Sequence, residues 1–270
     1  MKVDSIYKEY GVVKEINLKK FDDTSKVTMA LDKPLKILDS MEEWKAMDLW
    51  NEDYFLSLFS QEEILAKRYI NGMKEIKKFS LQEYFIYLKD ESDEIPFYLT
   101  DCQLHLGTSL EEDYQEPEVF SCWYKKIKQE ERKSTLSWIY IAPKYSISPL
   151  HLDLWGTSAW NGVINGEKLW MFFSPDQYRY LYNGRVNPFN PDFSTYPLFD
   201  KARPEVCFQS KGEMVFTPSG WWHAVLNLER GFSITENFIN NTNSTRVLEY
   251  FKNLSPPSYK TIQKLIENNS

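Results

Sequence analysis

The stretch that decides the fold is His151-Leu-Asp-Leu-Trp-Gly-Thr-Ser-Ala-Trp-Asn-Gly-Val-Ile-Asn-Gly-Glu-Lys-Leu-Trp170. It opens with a His-x-Asp pair on a predicted strand, and side chains two residues apart on a strand point to the same face. We therefore expect His151 and Asp153 to converge. His223 follows the turn Thr217-Pro-Ser-Gly-Trp-Trp222. Two histidines and one carboxylate are the ligand set of a non-haem Fe(II) centre, and they leave one face of the metal open for co-substrate and oxygen.

The triplet alone leaves two interpretations open. In the first, His151, Asp153 and His223 bind a metal ion. In the second, His151 ends a strand and His223 is a hydrogen-bonded histidine beside an aromatic turn, since an H-x-D pair also occurs by chance.

Polar residues on neighbouring strands favour a binding site. Lys168 shares a strand face with Trp170 and Phe172, so it is either a rim residue with a solvated head or a buried cation that needs an anion. Thr235 and Asn237 repeat the two-residue spacing in a strand that is otherwise apolar. Buried polar side chains need partners, and a bound dicarboxylate would supply them.

Short apolar segments separated by Gly, Pro and Asn begin near residue 95, and many short strands at such spacing predict a jelly-roll or barrel. The dipeptide Asn165-Gly166 predicts a hairpin turn with positive φ at both positions. Residues 185–202 contain three prolines; we expect a long inserted loop that either borders the site and recognises substrate, which we favour, or covers the barrel. The strands predicted by this pattern are residues 97–99, 137–142, 151–154, 160–164, 168–173, 214–217 and 232–238.

Helical periodicity is confined to the two ends of the chain. Residues 42–59 have apolar side chains at helical spacing, after a short predicted strand at 34–38 and an N-cap at Asp39-Ser40. Residues 80–89 form a second predicted helix, with Ser80 and Glu83 as a capping box. The tail predicts helices at 244–253 and 258–268, separated by Pro256-Pro257.

Composition limits the class of protein. The chain has 270 residues, 42% of them hydrophobic, and a net charge of −7, which indicates one large domain with an extension and disfavours direct nucleic-acid binding. No segment approaches the ~20 apolar residues of a membrane span, and Asp4 lies where a signal peptide needs an apolar run. The three cysteines, which form no C-x-x-C pair, are predicted to be buried and unpaired. We expect an intracellular, cytoplasmic protein, with a nuclear location left open for a eukaryotic source.

Three segments together resemble the Jumonji-C oxygenases. The opening stretch is similar to the iron-binding segment of that family, Lys211-Gly-Glu-Met-Val-Phe-Thr-Pro-Ser-Gly-Trp-Trp-His-Ala-Val-Leu-Asn-Leu228 to its second iron segment, and Ile234-Thr-Glu-Asn-Phe238 to the strand that follows. The likeness covers roughly residues 30–240 and is greatest to the Jumonji-domain lysyl hydroxylases, also described as arginine demethylases.

This resemblance implies a mainly β protein: a double-stranded β-helix (jelly-roll, cupin-like) at 95–240, between a helix-rich N-terminal lead-in at 1–94 and a helical tail at 241–270. It implies Fe(II) bound by His151, Asp153 and His223, and 2-oxoglutarate whose distal carboxylate pairs with Lys168. Oxygen would hydroxylate a protein side chain or amino-acid-like substrate, with formation of succinate and CO2. The further pocket residues implied are Thr235, Asn161, Ser148 and Tyr98 as co-substrate contacts and Asn237 near the metal.

The sequence departs from the lysyl hydroxylases at three positions. Leu154-Trp155 replaces their Pro-Leu, and Glu236 replaces their Gln. Trp155, if it points inward, would reshape the substrate entrance. Two other functions therefore stay open, N-methyl demethylation and a catalytically silent cupin-type binding module.

For the remaining residues, a structural role is the simpler interpretation. His105 matches no ligand position and is expected to have a structural or surface role. Trp221-Trp222 is expected to pack around the mouth of the metal site or, as a second interpretation, to stack on substrate. The acidic segment 111–118 is interpreted as a solvated loop or, as a second interpretation, a contact for a cationic substrate. The apolar stripes of the two tail helices predict either a homodimer interface or packing on their own barrel.

Overall fold

The computed structural model describes residues 10–20, 31–70, 73–90 and 92–269. The residues at the start of the chain, on which the expected absence of a signal peptide rests, lie outside this part. Fourteen strands are described: β1 Gly11–Val12, β2 Lys14–Ile16, β3 Leu35–Ile37, β4 Glu63–Ile70, β5 Met73–Ser80, β6 Leu99–Cys102, β7 Ser137–Ala142, β8 Ile147–His151, β9 Ser158–Val163, β10 Lys168–Phe173, β11 Glu205–Gln209, β12 Met214–Thr217, β13 Trp222–Asn227 and β14 Gly231–Phe238. The α-helices described are α1 Ala46–Leu49, α2 Glu52–Phe59, α3 Leu81–Tyr87, α4 Ser244–Lys252 and α5 Pro256–Glu267.

Two sheets form the core of the fold. One has the order β1-β11-β10-β13-β8 and the other β2-β3-β12-β9-β14-β7-β6, and β4 and β5 form a separate hairpin. Between β8 and β14 the chain passes repeatedly from one sheet to the other, and this alternation is the double-stranded β-helix. The predicted jelly-roll is confirmed. Strand β1 is an edge strand of the five-stranded sheet, and β2 and β3 belong to the seven-stranded sheet. The N-terminal segment is therefore part of the barrel as well as packed on it.

The central strands are buried on both faces. Every residue of β9, β10 and β12 is buried, because one face of each strand lines the interior and the other is covered by a further layer. Trp170, Phe172, Val215 and Val225 pack between the sheets. The back of the seven-stranded sheet packs against the helices in the main core cluster, where Trp160 is fully buried.

The N-terminal helical region differs in detail from its prediction. The helix predicted at 42–59 is divided into α1 and α2, because the Asn51 side chain caps α2 by accepting a hydrogen bond from the Tyr54 N–H at 2.9 Å. Asp39 is not a helix cap; its carboxylate accepts hydrogen bonds from the backbone N–H groups of Leu18 and Lys19. The capping box of α3, formed by Ser80 and Glu83, is confirmed.

The Asn165-Gly166 turn does not close a hairpin. Strand β9 pairs with β12 and β14, whereas β10 pairs with β11 and β13, so this turn carries the chain from one sheet to the other. Gly166 has φ +87° and Asn165 is not among the residues with positive φ. A Cβ on Gly166 would lie 2.8 Å from the Arg230 carbonyl oxygen. The glycine is therefore required by the close approach of the backbone around Arg230.

Some strands were missed or displaced in the sequence-based assignment. The strand predicted at 151–154 ends at His151, and the strand predicted at 97–99 begins at Leu99. Strands β1, β2, β4, β5, β11 and β13 were not predicted. The lysine-rich β4–β5 hairpin lacks an alternating apolar pattern on β5, whose first six residues are exposed. The strand predictions at 137–142, 168–173 and 214–217 are confirmed.

The two tail helices are present as predicted, but Pro256-Pro257 forms the first turn of α5 instead of a linker, with Ser255 as the N-cap. Their buried residues, which include Phe251, Ile262 and Leu265, join the main core cluster of the same chain. Packing on the chain's own barrel therefore accounts for most of the apolar stripes, and the homodimer stays a prediction. In the described part of the chain, no helix has the length and apolar character needed to cross a membrane. The three cysteines are unpaired and buried.

Candidate functional site

Two adjacent strands of the five-stranded sheet bring the predicted metal ligands together. His223 on β13 lies directly opposite His151 at the end of β8, and the two imidazole centroids are 4.2 Å apart. Asp153 lies beyond the end of β8, before a short 3-10 turn at Leu154–Gly156. One possible ligand atom from each of His151, Asp153 and His223 lies within 4.8 Å of the others, as binding of one metal ion requires.

Backbone carbonyl groups orient both imidazoles. Nδ1 of His151 lies 2.7 Å from the Pro149 carbonyl oxygen, and Nδ1 of His223 lies 3.2 Å from that of Trp221. A carbonyl oxygen can only accept, so each Nδ1 carries the hydrogen and each Nε2 is the ring nitrogen left to face a metal ion. Burial and the neighbouring His151 also lower the pKa of His223 well below its ordinary value. Imidazoles whose Nδ1–H groups are held by backbone carbonyls are oriented as metal ligands are.

The Asp153 carboxylate supplies a direct test of fit. Its Oδ2 is buried and has no hydrogen-bond partner among the described residues. Burial raises the pKa of Asp153, against the opposing effects of His151 and Asn237. A buried carboxylate oxygen without a partner is costly, and a cation between Asp153 and the two imidazoles would satisfy it. The residues present therefore fit a divalent metal.

Lys168 is the second group that lacks a counter-charge. Only 5% of the residue is exposed, and its Nζ donates to Asn227 Oδ1 at 2.7 Å and to the Tyr98 hydroxyl at 3.4 Å. No carboxylate forms an ion pair with it among the described residues, and burial lowers its pKa from 10.5 to about 7. Of the two roles considered for Lys168, the structure shows the buried cation.

The other predicted co-substrate residues line the same inner cavity. The Asn161 side-chain amide donates to the Thr235 hydroxyl at 2.7 Å, and Asn161 Oδ1 is buried without a partner. Asn237 donates to the Thr157 hydroxyl at 2.8 Å. The inner cavity has a volume of about 70 Å³. Its lining includes all nine predicted site residues: Tyr98, Ser148, His151, Asp153, Asn161, Lys168, His223, Thr235 and Asn237.

An outer cavity of about 420 Å³ leads to the inner one. The two share the wall formed by His151, Asp153, Asn237 and three neighbours, so the candidate metal site lies at the bottom of the entrance. Sequence reasoning missed the residues that line only the entrance, and alternation along β7 could have found Trp138, because Ile139 next to it is core. These entrance residues are Lys67, Tyr69, Thr100, Asp101, Trp138, Ile147, Pro149, Leu152 and Leu154.

Of the three departures from the lysyl hydroxylase pattern, Leu154 lines the outer cavity, whereas Trp155 and Glu236 point away from both cavities. Trp155 has φ 57° and packs between Tyr124 and Phe251, with ring centroids 5.5 and 5.3 Å away, so it does not narrow the entrance. Glu236 lies on the back of β14, where its carboxylate pairs with Lys125 at 2.6 Å and accepts from the Tyr114 hydroxyl at 2.8 Å.

The other highlighted segments lie outside the two cavities. His105 is fully buried, and its Nε2 lies 2.7 Å from the Ser137 hydroxyl, which is a structural role. Trp221 packs with the aromatic residues beside His223 and donates to the Asp32 carbonyl oxygen. No residue of 185–202 lines either cavity. Val186 and Phe199 from this segment cover the outer face of the five-stranded sheet. Of the two interpretations of this loop, the structure therefore favours cover of the barrel over the preferred one, a border of the site.

The acidic segment 111–118 is more structured than a solvated loop. Asp113 is 5% exposed and accepts hydrogen bonds from Trp50 Nε1 and the Tyr54 hydroxyl, and Glu116 pairs with Lys125. These carboxylates fix the segment to the helices and to the back of the barrel, and none lines the two cavities.

The sequence matches the cupin-like domain family over residues 23–245, and the chain belongs to that family. It is also similar to three Jumonji proteins, which confirms the predicted resemblance. The arginine-specific demethylase JMJ22 of Arabidopsis thaliana is 30% identical over 266 residues, which are 92% of this chain and 49% of the relative. The 2-oxoglutarate and iron-dependent oxygenase JMJD4 of Gallus gallus is 33% identical over 193 residues, 66% of this chain and 45% of the relative.

The bifunctional arginine demethylase and lysyl-hydroxylase psr-1 of Caenorhabditis elegans is 26% identical over 226 residues, which are 76% of this chain and 55% of that protein. The chain thus spans about half the length of these three relatives.

Proposed function

We propose that the chain is an Fe(II)- and 2-oxoglutarate-dependent oxygenase that hydroxylates a protein side chain or an amino-acid-like substrate. One observation carries the proposal: a buried cation without an anion, Lys168, lies in the same cavity as three convergent metal ligands, one of them with an unpartnered oxygen. A metal site alone would not require Lys168. A dicarboxylate that reaches from the metal to Lys168 would satisfy both groups at once.

Each of the main site residues has a defined part in this proposal. His151, Asp153 and His223 hold the metal, which together with oxygen and 2-oxoglutarate supplies the oxidising power for hydroxylation and yields succinate and CO2. Lys168 binds the distal carboxylate in a charge-assisted contact, which is strong in a buried site. The remainder of the co-substrate is oriented by four further residues of the inner cavity, Tyr98, Ser148, Asn161 and Thr235.

Aromatic side chains cover one side of the candidate metal site. Trp170 and Phe172 stack on each other and lie on one side of His223, with ring centroids 6.0 Å from that imidazole. Rigid aromatic walls preserve the ligand geometry and limit the access of water from that side. A silent binding module has no use for this arrangement, and we therefore favour an enzyme.

Demethylation of an N-methyl group is a second candidate, because relatives of this chain are named arginine demethylases. Hydroxylation of a methyl carbon on nitrogen releases formaldehyde, whereas hydroxylation elsewhere on the side chain gives a stable product.

We further propose an intracellular location, which the three buried unpaired thiols support.

Binding under anaerobic conditions tests the proposal. Purified protein with Fe(II) is expected to bind 2-oxoglutarate, and Asp153→Ala is expected to abolish the metal-dependent part of that binding. His105→Gln is the matched control, since His105 lies outside the site and glutamine keeps a hydrogen-bonding side chain there. Binding of 2-oxoglutarate that is equally tight without metal, or that survives Asp153→Ala, would contradict the proposal. Mass spectrometry for an added oxygen, together with a formaldehyde assay, then separates hydroxylation from demethylation.

A further inference from the structure

The β4–β5 hairpin has one face turned to the barrel and one turned to solvent. Ile64, Ala66 and Phe79 are at most 6% exposed and join the main core cluster. Arg68 on the same face lies over the Phe97 ring at 4.2 Å. These contacts fix the hairpin to the barrel, so its orientation relative to the site is set by core packing.

The opposite face, here called the outer hairpin face, is exposed and largely apolar at its centre. Leu65 and Ile76 are each 56% exposed and Tyr69 is 37% exposed. Residues directly opposite each other in an antiparallel pair share a face. The register pairs Leu65 with Lys78, Lys67 with Ile76 and Tyr69 with Lys74, and Glu63 precedes Leu65 on the same side of β4. The outer hairpin face therefore comprises Glu63, Leu65, Lys67, Tyr69, Lys74, Ile76 and Lys78.

The outer hairpin face continues the wall of the outer cavity. Lys67 and Tyr69 line that cavity. The backbone of Lys67 exchanges hydrogen bonds with that of Tyr98, at 2.9 and 2.8 Å, and Tyr98 also lines the inner cavity. An unbroken surface therefore leads from the candidate metal site to the exposed hairpin. An eight-residue strand is about 25 Å long, so this surface has room for several extended residues of a polypeptide.

The charge of the hairpin is opposite to that of the chain as a whole. Residues 63–80 contain five Lys or Arg and two Glu, a net charge of +3, in a chain whose net charge is −7. On the outer hairpin face, Lys67 pairs with Asp101 and Lys78 pairs with Glu63. Lys74 forms no ion pair among the described residues. Arg68 and Lys77 belong to the opposite face of the hairpin, so the positive charge that the outer hairpin face offers a negatively charged partner comes from Lys67, Lys74 and Lys78.

We propose that the outer hairpin face docks an extended, acidic segment of the polypeptide substrate, next to the residue that enters the outer cavity. The inference rests on the proposed function, since it assumes that the target side chain reaches the metal through this entrance. Leu65, Tyr69 and Ile76 would contact apolar side chains of the segment. Lys74 would contact its carboxylates, and Lys78 would do so in exchange for its ion pair with Glu63. The exposed aliphatic side chains favour a protein over a nucleic acid, which would gain little from Leu65 and Ile76.

Fluorescence anisotropy with labelled peptides tests the docking surface without catalysis. The probe is a short peptide with a central lysine, in which Asp or Glu alternates with Leu or Val on one side of that lysine. The same peptide with every acidic residue changed to lysine, and a single-stranded oligonucleotide, are the comparison probes. The protein variants are Lys74→Glu with Lys78→Glu, Leu65→Ser with Ile76→Ser, and the control Lys264→Glu, which changes an exposed lysine on α5.

We expect the acidic probe to bind wild-type protein better than the basic probe and less tightly as salt increases. The double charge reversal is expected to raise its Kd at least about 10-fold, equivalent to about 1.4 kcal/mol, and Lys264→Glu to leave it unchanged. The apolar variant is expected to raise Kd without altering the salt dependence. An unchanged Kd in both hairpin variants, no binding of the acidic probe, or tighter hairpin-dependent binding of the oligonucleotide would overturn the proposal. Metal-dependent 2-oxoglutarate binding, measured on the same variants, is expected to stay at the wild-type level, so a failure here is distinct from a failure of the oxygenase proposal.

Discussion

Lys168 makes the strongest quantitative prediction, because its buried ammonium group lacks an ion-pair partner among the described residues. Burial lowers its pKa from 10.5 to about 7. A carboxylate bound at Nζ would restore the charged form and raise the pKa again. Binding of 2-oxoglutarate is therefore expected to take up a proton when the pH lies above 7.

The magnitude follows from this linkage. With a pKa near 7 in the free protein and a much higher value in the complex, the Kd for 2-oxoglutarate rises by about 25-fold between pH 6.5 and 8.5, a loss of about 1.9 kcal/mol. The sign for stability is the reverse. The unfolded chain keeps the proton up to about pH 10.4, so the contribution of Lys168 to the free energy of unfolding rises as pH increases from 7 in the absence of ligand.

Isothermal titration calorimetry at saturating Fe(II), without oxygen, measures this dependence. Lys168→Arg keeps its charge at every pH in the range and is expected to show a Kd that no longer changes through this group. Lys168→Met removes the charge and is expected to weaken binding by about 10-fold to 100-fold at pH 6.5, the ~1.5–3 kcal/mol of a hydrogen bond to a charged group. The reasoning is refuted if the wild-type Kd is constant across the range and Lys168→Met binds within about twofold of wild type.

Three further substitutions probe the supports of the site. Phe251→Ala removes a buried partner of Trp155, next to the loop that carries Asp153. We expect the free energy of unfolding, measured by denaturant titration, to fall by about 3 kcal/mol, and metal binding, measured by calorimetry, to weaken. An unchanged metal Kd would show that α4 does not position the ligand. Glu236→Gln leaves Lys125 with one carboxylate partner and is expected to cost about 1–3 kcal/mol, with no change in 2-oxoglutarate affinity; a large change in affinity would contradict its placement on the back of the sheet. Gly166→Ala forces a Cβ against the Arg230 carbonyl at positive φ and is expected to lower stability by about 1–3 kcal/mol, so a melting temperature equal to wild type would argue against this turn geometry.

The metal ligands show how far local sequence rules extend. The spacing of His151 and Asp153 correctly predicts that they converge, although the strand ends at His151 and Asp153 is positioned by the turn that follows. The spacing still holds because Asp153 keeps an extended backbone, with φ −62° and ψ 148°, up to the start of the 3-10 turn. The approach of His223 depends on the pairing of β8 with β13, which no local pattern specifies.

The Asn165-Gly166 turn marks the limit of local reasoning. The dipeptide correctly predicts a tight turn, since Gly166 has positive φ. A turn signal does not, however, contain the identity of the strand partners, and here long-range pairing separates β9 from β10. The same limit applies to Lys168, which is buried beside Asn227 and Tyr98, two residues that are distant from it in the sequence. The β4–β5 hairpin was missed for a different reason: its outer face mixes lysine with apolar residues, so the apolar alternation that identifies a half-buried strand is absent.

Alternation along β14 separates the cofactor chemistry from the family-specific changes. Thr235 and Asn237 line the inner cavity, whereas Glu236 between them faces Lys125 on the back of the sheet. A substitution at 236 therefore alters how the segment around Lys125 is held, without touching the metal or its co-substrate. Trp155 is likewise absorbed by Tyr124 and Phe251. Trp155 and Glu236 thus point away from the cavities, whereas the third departure, Leu154, lines the outer one. Differences in substrate between this chain and the lysyl hydroxylases should therefore arise at the entrance, at Leu154 and where the outer hairpin face meets the outer cavity.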